Sequence, residues 1–366
     1  MGFENASAGF DGSLIVDSDV HPSYHTPEAR ERLADYMDEP YSSIIHPDSP
    51  DDPYPSFGWP KTMGGNRSGV MHEELYTHRD VDEKLLSNGI DYAILNFISL
   101  IDTVRGTERS LQEMRAANDV LLEYYLDDGD GQFGLCTVTT KDVPKAVEEL
   151  ERMGAEDAIV GVVFFPGSEY QKPLGDPSYD PIYAAAEDND LTVVYHAVDD
   201  TICSRDAPVL LEFEQFVSMH TLGFPWTAML TLTSLIVQGT PVKFPELNFV
   251  ILESGVGWIP YMMGRLNREV DWRRSEAPLL EESPEEYIRD SFYFGTQPLE
   301  ELNDPTHMEQ ILDVVGAENL LFATDYPHWD FDTPEAIGNQ LRRTFSAEER
   351  DRILHRNAIE AFGLDV

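Results

Sequence analysis

The chain has 366 residues, 42% of them hydrophobic and 11% aromatic, enough to bury a large core and too apolar for a disordered chain. Its 68 Asp and Glu against 25 Lys and Arg give a formal net charge of −43, which repels phosphate backbones and anionic membranes and argues against nucleic-acid binding. No apolar run approaches the ~18 residues of a membrane span, and the N-terminus lacks the basic flank and apolar centre of a signal peptide. The two cysteines, Cys136 and Cys203, cannot build a disulfide framework and lack CxxC spacing, so a reduced, cytoplasmic protein is expected. The acids are dispersed rather than gathered in a tail. That pattern predicts a halophilic protein, whose self-repulsion is screened at high salt; an unusually soluble enzyme from an ordinary cell is the alternative.

Taken in order, the first element is a strand over 14–21, an apolar run that turns polar at Asp17, Asp19 and His21. A segment rich in Pro, Tyr, Asp and Gly follows over 22–80. It keeps aromatic residues that can pack, and is expected to be an insertion lidding a site rather than a linker. Helix and strand then alternate. Helices are predicted over 81–88, 107–126, 143–153, 179–188, 258–274 and 307–315, and strands over 92–97, 133–138, 158–165, 192–196, 248–253, 292–295 and 320–324. The span 208–239 reads as helical in pieces, broken near Gly223-Phe224-Pro225. Ser346 and Glu349 form a capping box that opens a last helix running to about 362.

Eight strands with helices between them predict a parallel sheet. No composition break marks a second domain, so residues 1–366 are expected to form a single (β/α)8 TIM barrel carrying the 22–80 insertion. A doubly wound sheet is the alternative, but it gives no reason for polar residues at the exits of the first, fifth and last strands. Closure of strand eight on strand one does.

Buried parallel strands are nearly continuous in apolar residues, so a His or Asp at a strand's exit faces a site. Asp19, His21, His196 and Asp325 are such residues, and two carboxylates with two imidazoles can hold one divalent metal ion: Zn, Mn, Fe or Co. Taken singly, Asp19 could cap a turn, His196 could be a satisfied core histidine, and Asp325 could cap the Tyr326-Pro327 turn. Asp17 reads as an orienting partner for a ligand.

Asp17-x-Asp19-x-His21, His196 and Asp325, with 244–266 and Ala323-Thr-Asp-Tyr-Pro-His328, resemble the amidohydrolase superfamily. More narrowly, they resemble its branch related to aminocarboxymuconate-semialdehyde decarboxylase. The resemblance implies a barrel enzyme with one metal held by Asp19, His21, His196 and Asp325. Most of the branch has His where this chain has Asp19, and the branch's strand-six catalytic histidine is Glu253 here. An ionised Glu253 can accept a proton but repels a substrate carboxylate. Hydrolysis of a C–N or C–O bond in a small cyclic or aromatic metabolite is therefore expected, with Asp325 and Glu253 catalytic and His328 and His220 contacting substrate. The alternatives are a metal-dependent non-oxidative decarboxylase (a carboxy-lyase) of an aromatic or muconate-like acid, and a non-catalytic metal- or ligand-binding barrel. Beyond a small-molecule substrate, the one partner contemplated is a second copy of the chain, as a homodimer.

Overall fold

The computed structural model describes residues 10, 13–24, 26–47, 74–97, 101–103, 106–127, 129–165, 171–197 and 215–366. Its eight strands are β1 (Val16–Val20), β2 (Tyr92–Asn96), β3 (Gln132–Thr137), β4 (Ile159–Phe164), β5 (Thr192–His196), β6 (Phe249–Leu252), β7 (Phe292–Gly295) and β8 (Leu320–Leu321). They pair in sequence order, every pair parallel. The sheet closes where β8 meets β1: Ser18 N–H donates to Phe322 O (2.9 Å), His21 N–H to Tyr326 O (2.8 Å), and Asp325 N–H to Asp19 O (3.0 Å). This is the (β/α)8 barrel the strand count implies.

Apolar side chains form two layers, as alternation along each strand requires. Val16, Ile94, Leu135, Val194, Val250 and Leu321 fill the interior together with Phe362 near the C-terminus. Val20, Ala93, Leu95, Val162, Val193 and Ile251 face the surrounding helices. Each parallel strand is thus buried on both faces, which is why its sequence is a continuous apolar run.

The element bounds differ from the sequence expectations chiefly where packing overrides local rules. The span expected to break near Pro225 is one helix, Phe216–Val237. Proline removes one backbone donor there, yet burial of Ala228, Leu232, Leu235 and Ile236 carries the helix through. Residues 208–214 of that expectation lie outside the described residues. The strand expected to reach 324 is regular only over Leu320–Leu321, beyond which single hydrogen bonds and a bridge at Tyr326 continue the contact with β1. Within 22–80 the chain forms helices at Pro27–Asp35 and Tyr41–Ile45 and starts a third at His78. Residues 48–73 lie outside the described residues. The Ser346 capping box is present, with Ser346 Oγ accepting from Glu349 N–H and the Glu349 carboxylate accepting from Ser346 N–H.

Candidate metal centre

Asp19, His21, His196 and Asp325 are all buried, and each places one donor atom within 4.8 Å of the others'. Strand one achieves this through an irregularity. The register with β2 runs Asp17↔Ala93 and then Val20↔Leu95, one residue out of step. Ala93, Leu95 and Val20 all face the helices; a regular strand would therefore send residue 19 outward with residue 17. The bulge re-aims Asp19 and His21 into the mouth. His196 ends β5, two residues beyond the interior Val194. Asp325 lies beyond β8 with φ of +65°, and Glu253 follows β6 with φ of +52°. Leu252 points inward, so the next residue on a regular strand would point away; the left-handed turn brings Glu253 back to the site. Such backbone conformations cost of order 1–3 kcal/mol and tend to mark functional positions.

His21 Nε2 lies 2.9 Å from Asp325 Oδ1 and 3.3 Å from Asp19 Oδ1. His196 Nε2 lies 3.6 Å from Asp19 Oδ2 and 3.0 Å from Glu253 Oε2. His328 Nδ1 lies 2.5 Å from Asp325 Oδ1. His21, Glu253, Asp325 and His328 make a second, overlapping set of donors within the same 4.8 Å limit. His220 stands further out, 28% exposed, 3.3 Å from Asp330 and against Trp329, on the rim rather than among the donors.

Three residues that the sequence reading did not single out support the donors. Asn96, at the exit of β2, accepts from His21 Nδ1 through its backbone carbonyl (3.1 Å) and donates from Nδ2 to Asp19 Oδ1 (3.3 Å). The first contact fixes the His21 tautomer and leaves Nε2 facing the site. Gln297, beyond β7, donates to Asp325 Oδ2 (3.3 Å). Thr324 donates to Asp17, from its hydroxyl at 2.5 Å and its backbone N–H at 3.0 Å. Asn96 carries the same polar strand-exit signal as His196, but an amide is a poor metal donor, so its residue type does not mark it. Asp17 itself is an orienting group, its Oδ1 accepting from the Asp19 backbone (3.3 Å).

Electrostatics favour positive charge here. Burial raises the Asp19 carboxyl, but His21 and His196 together bring it well below the ordinary range. Burial lowers His21, yet Asp19 and Asp325 outweigh it and push the imidazole up to about 10. Asp325 is likewise held low against burial by His328 and His21. A proton on His21 thus does between two carboxylates what a cation would do. Asp19 Oδ2, His21 Nε2 and His196 Nε2 are buried and make only the close ion-pair contacts given above, with no well-directed hydrogen bond, a costly state unless something else satisfies them. The donor set, its spacing and these orphaned atoms fit one divalent cation.

A closed (β/α)8 barrel with a cation site at the carboxyl ends of its strands defines the class as a metal-dependent barrel enzyme. The family model described as amidohydrolase matches residues 88–364, and the chain belongs to that family. The curated proteins it resembles include decarboxylases. It is 26% identical over 316 residues to the gamma-resorcylate decarboxylase of Rhizobium sp. (strain MTP-10005), covering 81% of this chain and 90% of that protein. It is 25% identical over 253 residues to the 2-amino-3-carboxymuconate-6-semialdehyde decarboxylase of Dictyostelium discoideum, covering 68% of this chain and 66% of that protein. Among solved structures, the dihydroxybenzoic acid decarboxylase of Polaromonas sp. JS666, with bound manganese and the inhibitor 2-nitroresorcinol, superposes with a TM-score of 0.67 at 19% identity. That match covers 97% of this chain and 98% of the other.

Proposed function

We propose that the protein is a metal-dependent, non-oxidative decarboxylase of a hydroxylated aromatic acid. The observation that carries this is the conjunction of decarboxylase relatives matched over most of their length with a buried Asp325–His328 hydrogen bond beside the cation site. Decarboxylation breaks the bond between ring carbon and carboxylate, leaves the electron pair on the ring, and needs a proton for that carbon as CO2 departs. A proton held between Asp325 and His328 is available for that transfer. Asp19, His21, His196 and Asp325 would hold the metal, which when bound supplies positive charge to anchor and polarise the substrate's oxygens. Phe165, whose ring centre is 5.5 Å from that of His196, and Trp329, beside His220, offer apolar faces to an aromatic ring.

This reading sets aside the hydrolysis expected from Glu253. That expectation treated Glu253 as a bare anion facing the substrate. Its Oε2 lies 3.0 Å from His196 Nε2, so the carboxylate is turned toward the cation site, where a bound metal would offset its charge and reduce the repulsion of a substrate carboxylate. We assign Glu253 to positioning His196, His328 and His220 to substrate contact, and the 22–80 segment to covering the mouth.

The test is CO2 release from 2,6-dihydroxybenzoate and related hydroxybenzoates by manganese- or zinc-loaded protein in high salt. We expect turnover, falling about 10²–10⁴-fold in Asp325→Asn with metal still bound, as for loss of a general acid. Inertness toward these acids together with cleavage of an amide, ester or lactone would restore the hydrolase.

A further inference from the structure

We propose that Glu300 is a positioning residue which clamps the loop 253–257 and so holds Glu253 against His196 at the cation site, given that Glu253 orients His196 as assigned above. Glu253 stands at φ of +52°, and two residues later Gly255 stands at +69°. A left-handed residue with a Cβ keeps that conformation only where its surroundings impose it. The 3.0 Å contact between Glu253 and His196 follows from that turn, so the restraint lies in the rest of the loop.

The polar backbone groups of the loop are held by two side chains. Glu300 Oε1 accepts from Gly257 N–H at 2.7 Å and its Oε2 from Val256 N–H at 3.3 Å, so one carboxylate takes two successive amides. The carbonyls go to a different group: the buried Trp258 indole N–H is shared between Ser254 O and Gly255 O, each at 3.0 Å. Three consecutive peptide units, from Ser254 to Gly257, are thereby fixed in orientation. The sequence leaves room for the carboxylate. A Cβ on Gly255 would stand 2.6 Å from Glu300 Oε1, and one on Gly257 2.9 Å from the same oxygen. Both distances are inside non-bonded contact, so glycine at these two positions is what lets Glu300 reach the backbone.

Glu300 is in turn tied to the other flank of the site. It lies beyond β7, three residues after Gln297, whose side chain donates to Asp325 Oδ2 at 3.3 Å. Between them the Leu299 N–H donates to Asp332 Oδ2 at 3.3 Å. The stretch 297–300 therefore spans the exits of β6 and β8, gripping Asp325 at one end and the loop of Glu253 at the other. Among the described residues, β7 and this stretch supply no atom to the donor clusters. Their contribution is to set where the flanking groups stand. Loss of a group that orients a metal ligand weakens metal binding about 10–100-fold.

Manganese titration into the apo protein in high salt, followed by spin resonance, tests this through a double-mutant cycle. Glu300→Ala should weaken manganese binding about tenfold, and Glu253→Ala at least as much. In the Glu253→Ala background, adding Glu300→Ala should change the affinity less than about twofold, because Glu300 acts through the residue already removed. Hydrogen exchange of the 253–258 peptide should quicken at least about tenfold in Glu300→Ala while β6 keeps its protection. If Glu300→Ala does not fold, Glu300→Gln serves. It keeps an oxygen for Gly257 N–H but sets an amide NH2 against Val256 N–H, and should cost about threefold, again only where Glu253 is present. Glu301→Gln removes the same charge from the exposed neighbouring position and should leave the affinity at its wild-type value. The readout is metal binding rather than turnover, so it is separate from whether hydroxybenzoates are substrates. Wild-type affinity in Glu300→Ala, or an equal loss in both backgrounds, would overturn the proposal and leave Glu253 in its role. Wild-type affinity in Glu253→Ala would overturn the assignment of Glu253 to His196, and the proposal with it.

Discussion

The backbone N–H of Asp325 donates to the carbonyl of Asp19 at 3.0 Å, so the hydrogen bond that closes the barrel also fixes the separation of two donors in the site. Residues 306 positions apart are set together by the fold itself. Whatever strengthens their side-chain cluster should therefore strengthen the closure.

Metal removal should destabilise the protein. A ligand at 100–1,000 times its dissociation constant adds roughly 3–4 kcal/mol to stability, which for a domain of this size is a shift of at least several degrees in Tm. Elemental analysis should find about one divalent ion per chain, and chelation should lower the thermal midpoint. His196→Ala should lose the metal. Folded, unchelated protein with almost no metal would count against the site.

Asn96→Ala should weaken metal binding about tenfold without unfolding the chain. The substitution removes the 3.3 Å bond to Asp19 Oδ1 but keeps the backbone carbonyl that holds His21, so only the orientation of one ligand is relaxed. Titration of manganese into apo protein, followed by its spin resonance, gives the affinity directly. An affinity equal to wild type would mean that Asp19 needs no such support.

The barrel and the four donors were legible because both follow from one rule: buried parallel strands are apolar until their exits. His196 and Asp325 end such runs, and only closure brings them to Asp19 and His21. What was not legible depends on backbone detail. The bulge that turns Asp19 inward and the left-handed residue that returns Glu253 to the mouth have no signature in a single sequence. Glu253 could be read as a charge but not as a charge facing His196. The unbroken helix through Pro225 was missed for a similar reason, since its stability comes from the surface beneath it.

Glu253→Gln should lower KM for an aromatic carboxylate. Two unit charges ~4 Å apart at an effective dielectric of ~20 oppose each other by ~4 kcal/mol; the bound cation would offset part of this, leaving on the order of 1 kcal/mol, or about a fivefold change in KM. Steady-state kinetics with metal content measured in parallel separates this from loss of the cation. An unchanged KM would show that substrate does not sense this carboxylate.

The acidic surface should make folding depend on salt. The Debye length grows from ~3 Å at 1 M to ~30 Å at 0.01 M, and over that range repulsion among 68 acids opposed by 25 bases is unmasked. The thermal midpoint should fall steeply as KCl is diluted. A midpoint that holds constant between those limits would show that the surface is not adapted to salt.

Asp332 should give the protein a distinct pH dependence. Burial pushes its carboxyl up from 3.8 to about 6, against the Leu299 N–H that favours the charged form, with Asp325, Asp330 and Glu301 adding repulsion. Between those two values the folded chain binds more protons at this position than the unfolded chain. Stability contributed by the protonated group is therefore complete below about pH 4 and lost as pH rises through about 6. The shift is worth roughly 3 kcal/mol, somewhat less because the group retains some contact with water. Asp332→Asn keeps an oxygen for the Leu299 N–H and removes the titration. Urea unfolding at intervals from pH 4 to pH 7 should show wild type losing stability relative to the variant by about 2–3 kcal/mol across that window. Parallel curves for the two proteins would mean that Asp332 ionises in the folded state as it does in water.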